Sequence, residues 1–495
     1  MKRVAVVGGG IAGLATAIEL EARGLEVLVL EGGDRVGGNL RTDREDDWII
    51  ERGPNGFLDN VPATLDLVRR VGLESSLQRA NPRAAKRYLF RNGRLHLLPG
   101  GPLGFLKSPV LSVRGKLRVL LEPFARPRPE DVDETIYQFA ARRIGHEAAS
   151  VLVDAMVSGV FAGNVRELSL ASTFPTMAGM EREHGGLVRA MLAKQRMRRA
   201  ARRDAARRRG RGEDVAQLTR PGGPAGPAGT LTSCAGGLDR FPTAAARMLG
   251  DRVRMNTPVT ALERDGAGGW TMVTEAGETV HADAVVLAVP AAVAAPLLEP
   301  LDGRLGRHVG AIRSASLAVV ALGYDAATVG GAPDGFGFLV PRGEGPRILG
   351  CLWDSSLFPG RAPETRVLLR AMIGGAHDPA AVTLDDGTLV RIVREDLQTV
   401  MGISADPVLV RVYRHPGGIA QYATGHAARL AAIHERLTRL PGLSLTGSSY
   451  YGVSMNACIE HAVGHADRIV QWLAGDPTRR SAGAAVSTLH EAPSP

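Results

Sequence analysis

Aromatic side chains make up only 4% of this 495-residue chain, so it offers no aromatic-rich strand on which RNA bases could stack. Cysteine is scarcer still. Cys234, Cys351 and Cys458 lie too far apart for a zinc ribbon and are too few for a disulfide framework, which points to core thiols in a reducing compartment. No window supplies about 18 uncharged apolar residues, the length that a membrane-crossing helix needs. Zinc-finger spacing, a Gly-x-Ser-x-Gly elbow in convincing context, a Walker loop and a repeat of fixed period are missing as well. His461 and His465 stand one helical turn apart, but Glu460 precedes the pair instead of following its first member, and no metal is expected.

What is present is the composition of a soluble α/β protein, with 44% apolar residues, 22% charged residues and 61 glycines. The length exceeds what one core usually organises, so two or three substructures are expected. The net charge of +9 is local in origin: eleven Lys or Arg residues fall between Arg189 and Arg211 against Asp204 alone, and the remainder is close to neutral. That stretch reads as a solvated helix and loop, with contact to anionic lipid or nucleic acid as the alternative; no nucleic-acid partner is expected from the rest. The amino terminus mimics a secretory signal in its basic start and its Ala15-Thr16-Ala17. Gly8, Gly9, Gly10 and Gly13 interrupt the apolar run, however, and Glu19 and Glu21 follow in helical register. A cytoplasmic protein is expected, peripheral on the membrane face at most.

Val4 to Val7 predicts a buried parallel strand, a helix then runs to about Arg23, Gly24 ends it, and Val27 to Leu30 forms a second strand. Gly8, Gly10 and Gly13 lie between the first strand and the helix, and Glu31 closes the second strand. In this order the residues make a dinucleotide-binding turn. Gly8 permits the tight bend, Gly10 lets the main chain approach a pyrophosphate, and Gly13 allows helix and strand to pack closely. The helix amino terminus, with Ile11 and Ala12 in its first turn, turns N–H groups toward phosphate. Glu31 can accept from a ribose hydroxyl, which disfavours a 2′-phosphate there. Farther on, 101–212 reads as mostly helical, notably Leu103 to Phe124 and Ile136 to Phe161, and 205–229 as a mobile loop. Strands are expected at Val253 to Arg264, Trp270 to Thr274, Ala284 to Val289, Leu317 to Leu322, Phe336 to Val340, Leu349 to Trp353 and Val367 to Ile373. The last helix spans Asn456 to Leu473, and the tail beyond Pro477 frays.

The residues after Glu31 separate FAD from NAD. Gly32-Gly33-Asp34-Arg35-Val36-Gly37-Gly38 with Arg41-Thr42 resembles the FAD-binding signature of the amine oxidase and carotenoid desaturase superfamily. Arg35 can neutralise the pyrophosphate, and Gly37 and Gly38 let the main chain run against the ribityl chain and ring. The resemblance implies noncovalent FAD, with Gly32 and Arg41 in the same signature and Val259 holding adenine through its backbone. It also implies that Gly447, Val453 and Ser454, before the last helix, complete the flavin site. A second dinucleotide fingerprint is absent, so electrons are expected to leave to oxygen or another oxidant.

Within that superfamily the chain resembles the protoporphyrinogen oxidase family. Five stretches carry this: Glu51 to Phe57; Lys86-Arg87-Tyr88 with Asn92-Gly93; Gly159-Val160-Phe161-Ala162-Gly163-Asn164 with Arg166-Glu167-Leu168; Gly335 to Pro341; and Ser449 to Glu460. The resemblance implies that Arg87 pairs with a substrate propionate, that Asn55 is a polar active-site residue, and that the Gly159 carbonyl faces a tetrapyrrole sandwiched by Leu339 and Met372. Leu58 departs from it, since some relatives have an arginine there.

The implied fold is α/β: a Rossmann-type FAD-binding domain of the amine oxidase/glutathione reductase-like class, an α+β substrate domain and a helical, membrane-associating insertion. Residues 1–62, 229–299 and 436–476 are assigned to the first, 63–100 and 300–435 to the second, and 101–212 to the third, with 477–495 a flexible tail. The implied reaction is the six-electron, oxygen-coupled oxidation of protoporphyrinogen IX to protoporphyrin IX in haem biosynthesis, with hydrogen peroxide as by-product. Coproporphyrinogen III oxidation and a flavin amine oxidase or desaturase activity are the alternatives, although an amine oxidase would want an aromatic cage that scarce aromatics disfavour. A non-enzymatic adaptor for membrane or nucleic acid is the reading from another class. The oligomeric state is open, a homodimer included.

Overall fold

A computed structural model of the chain describes residues 1–128, 132–193, 195–197, 199, 229–266 and 268–475. Of the loop expected over 205–229 only the last residue falls among them; the tail expected beyond Pro477 and most of the basic stretch lie outside the described residues.

Short Val- and Leu-rich runs from three distant parts of the chain assemble one sheet. They are β1 (Arg3–Val7), β2 (Glu26–Leu30), β10 (Val253–Arg254), β14 (Ala284–Leu287) and β20 (Leu443–Leu445), in the order β10-β2-β1-β14-β20, and every pair is parallel. Such strands are buried on both faces, which explains their unbroken apolar character. On one face the first helix, Ile11–Ala22, packs with the last, Met455–Leu473, through Leu14, Ile18, Ile459 and Ala462. The other face is covered by β11 (Val259–Arg264), β12 (Trp270–Thr274) and β13 (Thr279–Ala282), an antiparallel sheet that puts Leu262, Trp270 and Met272 under Val7, Val285 and Leu287.

A second, seven-stranded sheet holds β7 (Arg87–Arg91), β8 (Arg94–Leu97), β15 (Ser314–Asp325), β16 (Gly337–Leu339), β17 (Ile348–Trp353), β18 (Arg366–Gly374) and β19 (Leu409–Ala420). Its order is β19-β15-β18-β17-β16-β7-β8. One face is sealed by the helix Asp386–Met401, whose Leu389, Val393 and Leu397 meet Phe90, Phe338, Cys351 and Ala371. Against the other face lies the hairpin of β3 (Thr42–Glu45) and β4 (Trp48–Glu51), which packs Trp48 and Ile50 on Val319, Ala321 and Leu368. A small sheet, β5 (Phe57–Leu58), β9 (Leu231–Cys234) and β6 (Leu77–Arg79), ties the chain after the hairpin to the chain entering the last third.

Of the region expected to be helical, the described residues form short helices. Pro102–Lys107 and Val113–Leu120 are separate helices because Ser112 caps the second, its hydroxyl accepting from the Gly115 N–H at 3.0 Å. Gly145, at φ 93°, ends Ile136–Ile144 before the chain continues to Asp154–Phe161. Arg143, fully buried, is held by Glu122 and Glu181, and the Glu122 carboxylate also accepts from the Leu187 N–H at 2.8 Å. No described helix is long and apolar enough to cross a membrane.

Packing joins residues across the expected segments. Leu67, Val68 and Leu73, expected on the substrate side from residue 63, belong to the core of the parallel sheet. Leu305, Val309, Leu430 and Ile433, expected there within 300–435, also pack on the parallel-sheet side, beneath β14 and β20. They lie on the apolar faces of helices Gly303–Gly310 and His426–Leu437.

Candidate active site

The glycines of the first turn form a cradle. Gly8 has φ 108°, a left-handed conformation that favours glycine. A Cβ on Gly13 would lie 2.0 Å from the Gly8 carbonyl oxygen, so helix and strand meet backbone to backbone. At Gly10, by contrast, a Cβ would meet nothing within 4 Å. Gly10 is also the N-cap of a helix that no side chain caps, with Ile11 and Ala12 in its first turn, so its leading N–H groups face that open space.

Three other segments close on this point. Gly37 donates to the Gly9 carbonyl at 2.9 Å, and Gly38 comes so near Gly10 that a Cβ there would sit 3.6 Å from the Gly10 Cα. Arg41 donates through Nε to the Gly38 carbonyl at 3.1 Å, while Arg35 is half-buried beside the same loop. The Glu31 main chain accepts from Thr257 N–H at 2.8 Å, two residues before Val259, and Gly32 stacks on Pro258, 3.3 Å from where its Cβ would lie. Gly447, at φ 108°, would place a Cβ 3.7 Å from Ala12. Ser454 caps the last helix, accepting from Ala457 N–H at 3.1 Å, and Val453 beside it packs on the helical region that contains Phe161. Glu31 has a task that spacing alone did not disclose. Its carboxylate accepts from the Gly9 N–H at 2.6 Å and the Gly33 N–H at 2.8 Å, so it braces both glycine loops, with lone pairs left over for a ribose. Open space, uncapped amides and an acidic brace fit a dinucleotide such as FAD.

The second half of the site is set by strand register. Residues paired across neighbouring strands share a face, and residues two apart along a strand return to it. Leu89 pairs with Leu339, Leu339 with Gly350, Gly350 with Met372 and Met372 with Val319; one step along, Arg87 pairs with Gly337, Gly337 with Leu352 and Leu352 with Arg370. Arg87, Leu339 and Met372, far apart in sequence, therefore stand on one face of one sheet, opposite to the helix-sealed face. Between Leu339 and Met372 the floor is bare main chain, because a Cβ on Gly350 would lie 2.4 Å from the Phe338 carbonyl oxygen. Gly159, on the helix Asp154–Phe161, roofs the Leu339 end: its Cβ would fall 2.2 Å from Leu339 Cδ2. Met372 is the one partly exposed residue between Val367 and Gly374 of its strand.

Arg87 stacks 4.9 Å from the centroid of the Phe336 ring, and burial pushes its guanidinium below the ordinary value while leaving it a cation. Asn55 is placed under the same face, but its amide is committed. Its Nδ2 donates to Asp354 at 2.8 Å and its Oδ1 accepts from Arg370. Leu58, in β5, stands half-buried. His461 Nε2 and His465 Nδ1 both face Arg468 Nη2, at 3.1 and 3.2 Å, while His461 Nδ1 meets Thr446 and His465 Nε2 meets Ser444, each at 3.1 Å. Sequence reasoning missed Arg370 and Asp354. The available signal was a single arginine in the otherwise apolar strand Val367 to Gly374.

The flavin containing amine oxidoreductase family model matches residues 11–470. Coproporphyrinogen III oxidase of Bacillus subtilis is 32% identical over 475 residues, 93% of this chain and 96% of its own. Human protoporphyrinogen oxidase is 35% identical over 485 residues, again 93% of this chain and 96% of its own. Among solved structures, an Exiguobacterium sp. 255-15 protein named provisionally as a protoporphyrinogen oxidase superposes with a TM-score of 0.79 at 27% identity, covering 94% of this chain and 98% of that one.

Proposed function

The chain belongs to the flavin containing amine oxidoreductase family and is an FAD-dependent oxidoreductase; from that premise we propose that it oxidises a porphyrinogen, protoporphyrinogen IX first, to the porphyrin, with molecular oxygen as the terminal acceptor. Relatives named for porphyrinogen oxidation across nearly the whole chain support the substrate class. The observation that carries the reading is the shared face of the second sheet. It joins a cation, Arg87, to a flat apolar floor of Leu339, Gly350 and Met372 with Gly159 above. A macrocycle with carboxylate arms asks for that combination.

FAD, held by Gly8, Gly10, Gly13, Glu31, Arg35, Gly37, Gly38, Val259 and Gly447, supplies when bound a two-electron acceptor and is not covalently attached. The protein's part is positioning. Arg87 fixes a propionate through its planar fork, and Leu339 and Met372 hold the ring against the sheet. Pyrrole N–H acidity and tautomerisation of the substrate provide the proton steps, so no strong general base is needed. Three rounds remove six electrons and six protons, and oxygen leaves as hydrogen peroxide. Arg87→Ala is expected to raise KM at least about tenfold, the scale of one lost charge-assisted hydrogen bond, with FAD content and flavin spectrum intact. Parallel loss of FAD would refute the assignment of Arg87 to substrate.

Coproporphyrinogen III is the second reading, supported by the Bacillus subtilis relative that carries its name. The proposal includes a peripheral membrane contact. On the helix Val113–Leu120, Val113, Leu117 and Leu120 share one face and point outward at 72%, 56% and 53% exposure, with Lys116 beside them.

A further inference from the structure

Between the two halves of the site lies a buried polar ring. Arg370, on the substrate face two residues before Met372, is 2% exposed, and so is Asp354. Arg370 Nε donates to Asp354 at 2.6 Å, and its Nη1 donates to the Glu51 and Gly53 carbonyls at 2.6 and 2.7 Å. Its Nη2 donates to Asn55 Oδ1, and Asn55 Nδ2 returns to Asp354 at 2.8 Å. One cation from the sheet thus grips three positions of the segment 51–55, and one buried carboxylate closes the ring. A second buried arginine, Arg361, holds the same segment by the Glu51 carboxylate at 2.6 Å.

That segment abuts the nucleotide cradle. A Cβ on Gly53 would lie 2.5 Å from the carbonyl oxygen of Asn39, the residue that follows Gly38. The segment is therefore wedged between the glycine loop expected to run along the flavin and the strand that carries Met372. Removing two charges from water is costly and returns little stability by itself, so a buried pair that also commits an amide and two carbonyls is best explained by the geometry it fixes.

Resting on the function proposed above, we infer that Arg370 and Asp354 are positioning residues for the reaction: through Asn55 and the 51–55 main chain they set the separation between the flavin loop and the substrate floor. Electron transfer as hydride requires reacting atoms within about 3–3.5 Å, and an ångström of slack costs on the order of a hundredfold.

The test is anaerobic single-turnover reduction of the holoprotein's flavin by protoporphyrinogen IX and by coproporphyrinogen III, followed by its visible absorbance. For Arg370→Lys, the rate at saturating substrate is expected to fall roughly 10- to 100-fold, with FAD content kept and half-saturation within about threefold of wild type. In a cycle with Asn55→Ala, the double variant is expected to be no slower than the slower single one, because Arg370 acts through Asn55. If Arg370→Lys gives no folded flavoprotein, Asp354→Asn, which keeps an acceptor for Asn55 Nδ2, takes its place in the cycle. A loss confined to melting temperature with an unchanged reduction rate, or losses that multiply in the double variant, would overturn the inference. A wild-type flavin that neither porphyrinogen reduces would instead refute the proposed function beneath it.

Discussion

At the scale of single residues, the cradle contains two glycines whose replacement should have opposite consequences. Gly13→Ala drives a methyl to 2.0 Å from a main-chain oxygen and must shift helix against strand. It is expected to cost roughly 3 kcal/mol or more, measured by denaturant unfolding. Gly10→Ala meets no protein atom and keeps an ordinary backbone conformation, so the apoprotein should stay within about 0.5 kcal/mol of wild type. Its methyl occupies the space before the uncapped amides, and FAD affinity should fall at least tenfold in a fluorescence titration. Equal damage to fold and to FAD binding by both variants would contradict the cradle. The close packing at Gly13 and the open helix start at Gly10 were legible in the sequence because their spacing follows a strand directly into a helix. The brace role of Glu31 and the ring around Arg370 were not. Both depend on partners up to 319 residues away, such as the Glu51 carbonyl that Arg370 reaches.

At the scale of elements, the two faces of β18 divide labour, and that division is testable. Leu369 points into the core sealed by the helix Asp386–Met401 and is 1% exposed, whereas Met372 lies on the opposite face, the proposed substrate floor. Leu369→Ala is expected to cost about 2–5 kcal/mol in unfolding without changing KM. Met372→Gln should cost less than about 1.5 kcal/mol and change KM or inhibitor affinity severalfold. The reverse pattern would place the site elsewhere. Sequence periodicity found β12 residue for residue and the last helix to within one position. It did not find β19, since Pro416-Gly417-Gly418 reads as a turn. In the fold the strand carries through with a register shift opposite Ala315 and Leu317. Within Leu103 to Phe124, expected to be mostly helical, the apolar spacing persists across Ser112 and did not mark the cap that starts a new helix there.

At the scale of the whole molecule, the cradle draws on residues 3–38, 253–288 and 443–454, and the substrate floor on residues 87–97 and 314–420. Composition and motifs made both halves legible, but the alignment of residues 87, 339, 350 and 372 exists only in long-range register. The helical part adds an outward apolar surface, with Leu103 at 77% and Phe124 at 80% exposure beside Lys107 and Arg114. The protein should cosediment with anionic vesicles, and Val113→Glu with Leu117→Glu should abolish this while leaving turnover in detergent intact. Undiminished binding by the double variant would contradict that docking mode.

The most direct measurement mixes the FAD-loaded protein, without oxygen, with each porphyrinogen in turn and records flavin absorbance and porphyrin fluorescence together. Without oxygen the flavin is expected to bleach, faster with protoporphyrinogen IX, as one bound FAD takes two of the six electrons; when oxygen is admitted its colour returns and porphyrin fluorescence appears as the remaining rounds run. A flavin that keeps its colour with both porphyrinogens, yet is reduced by an amine, would contradict it.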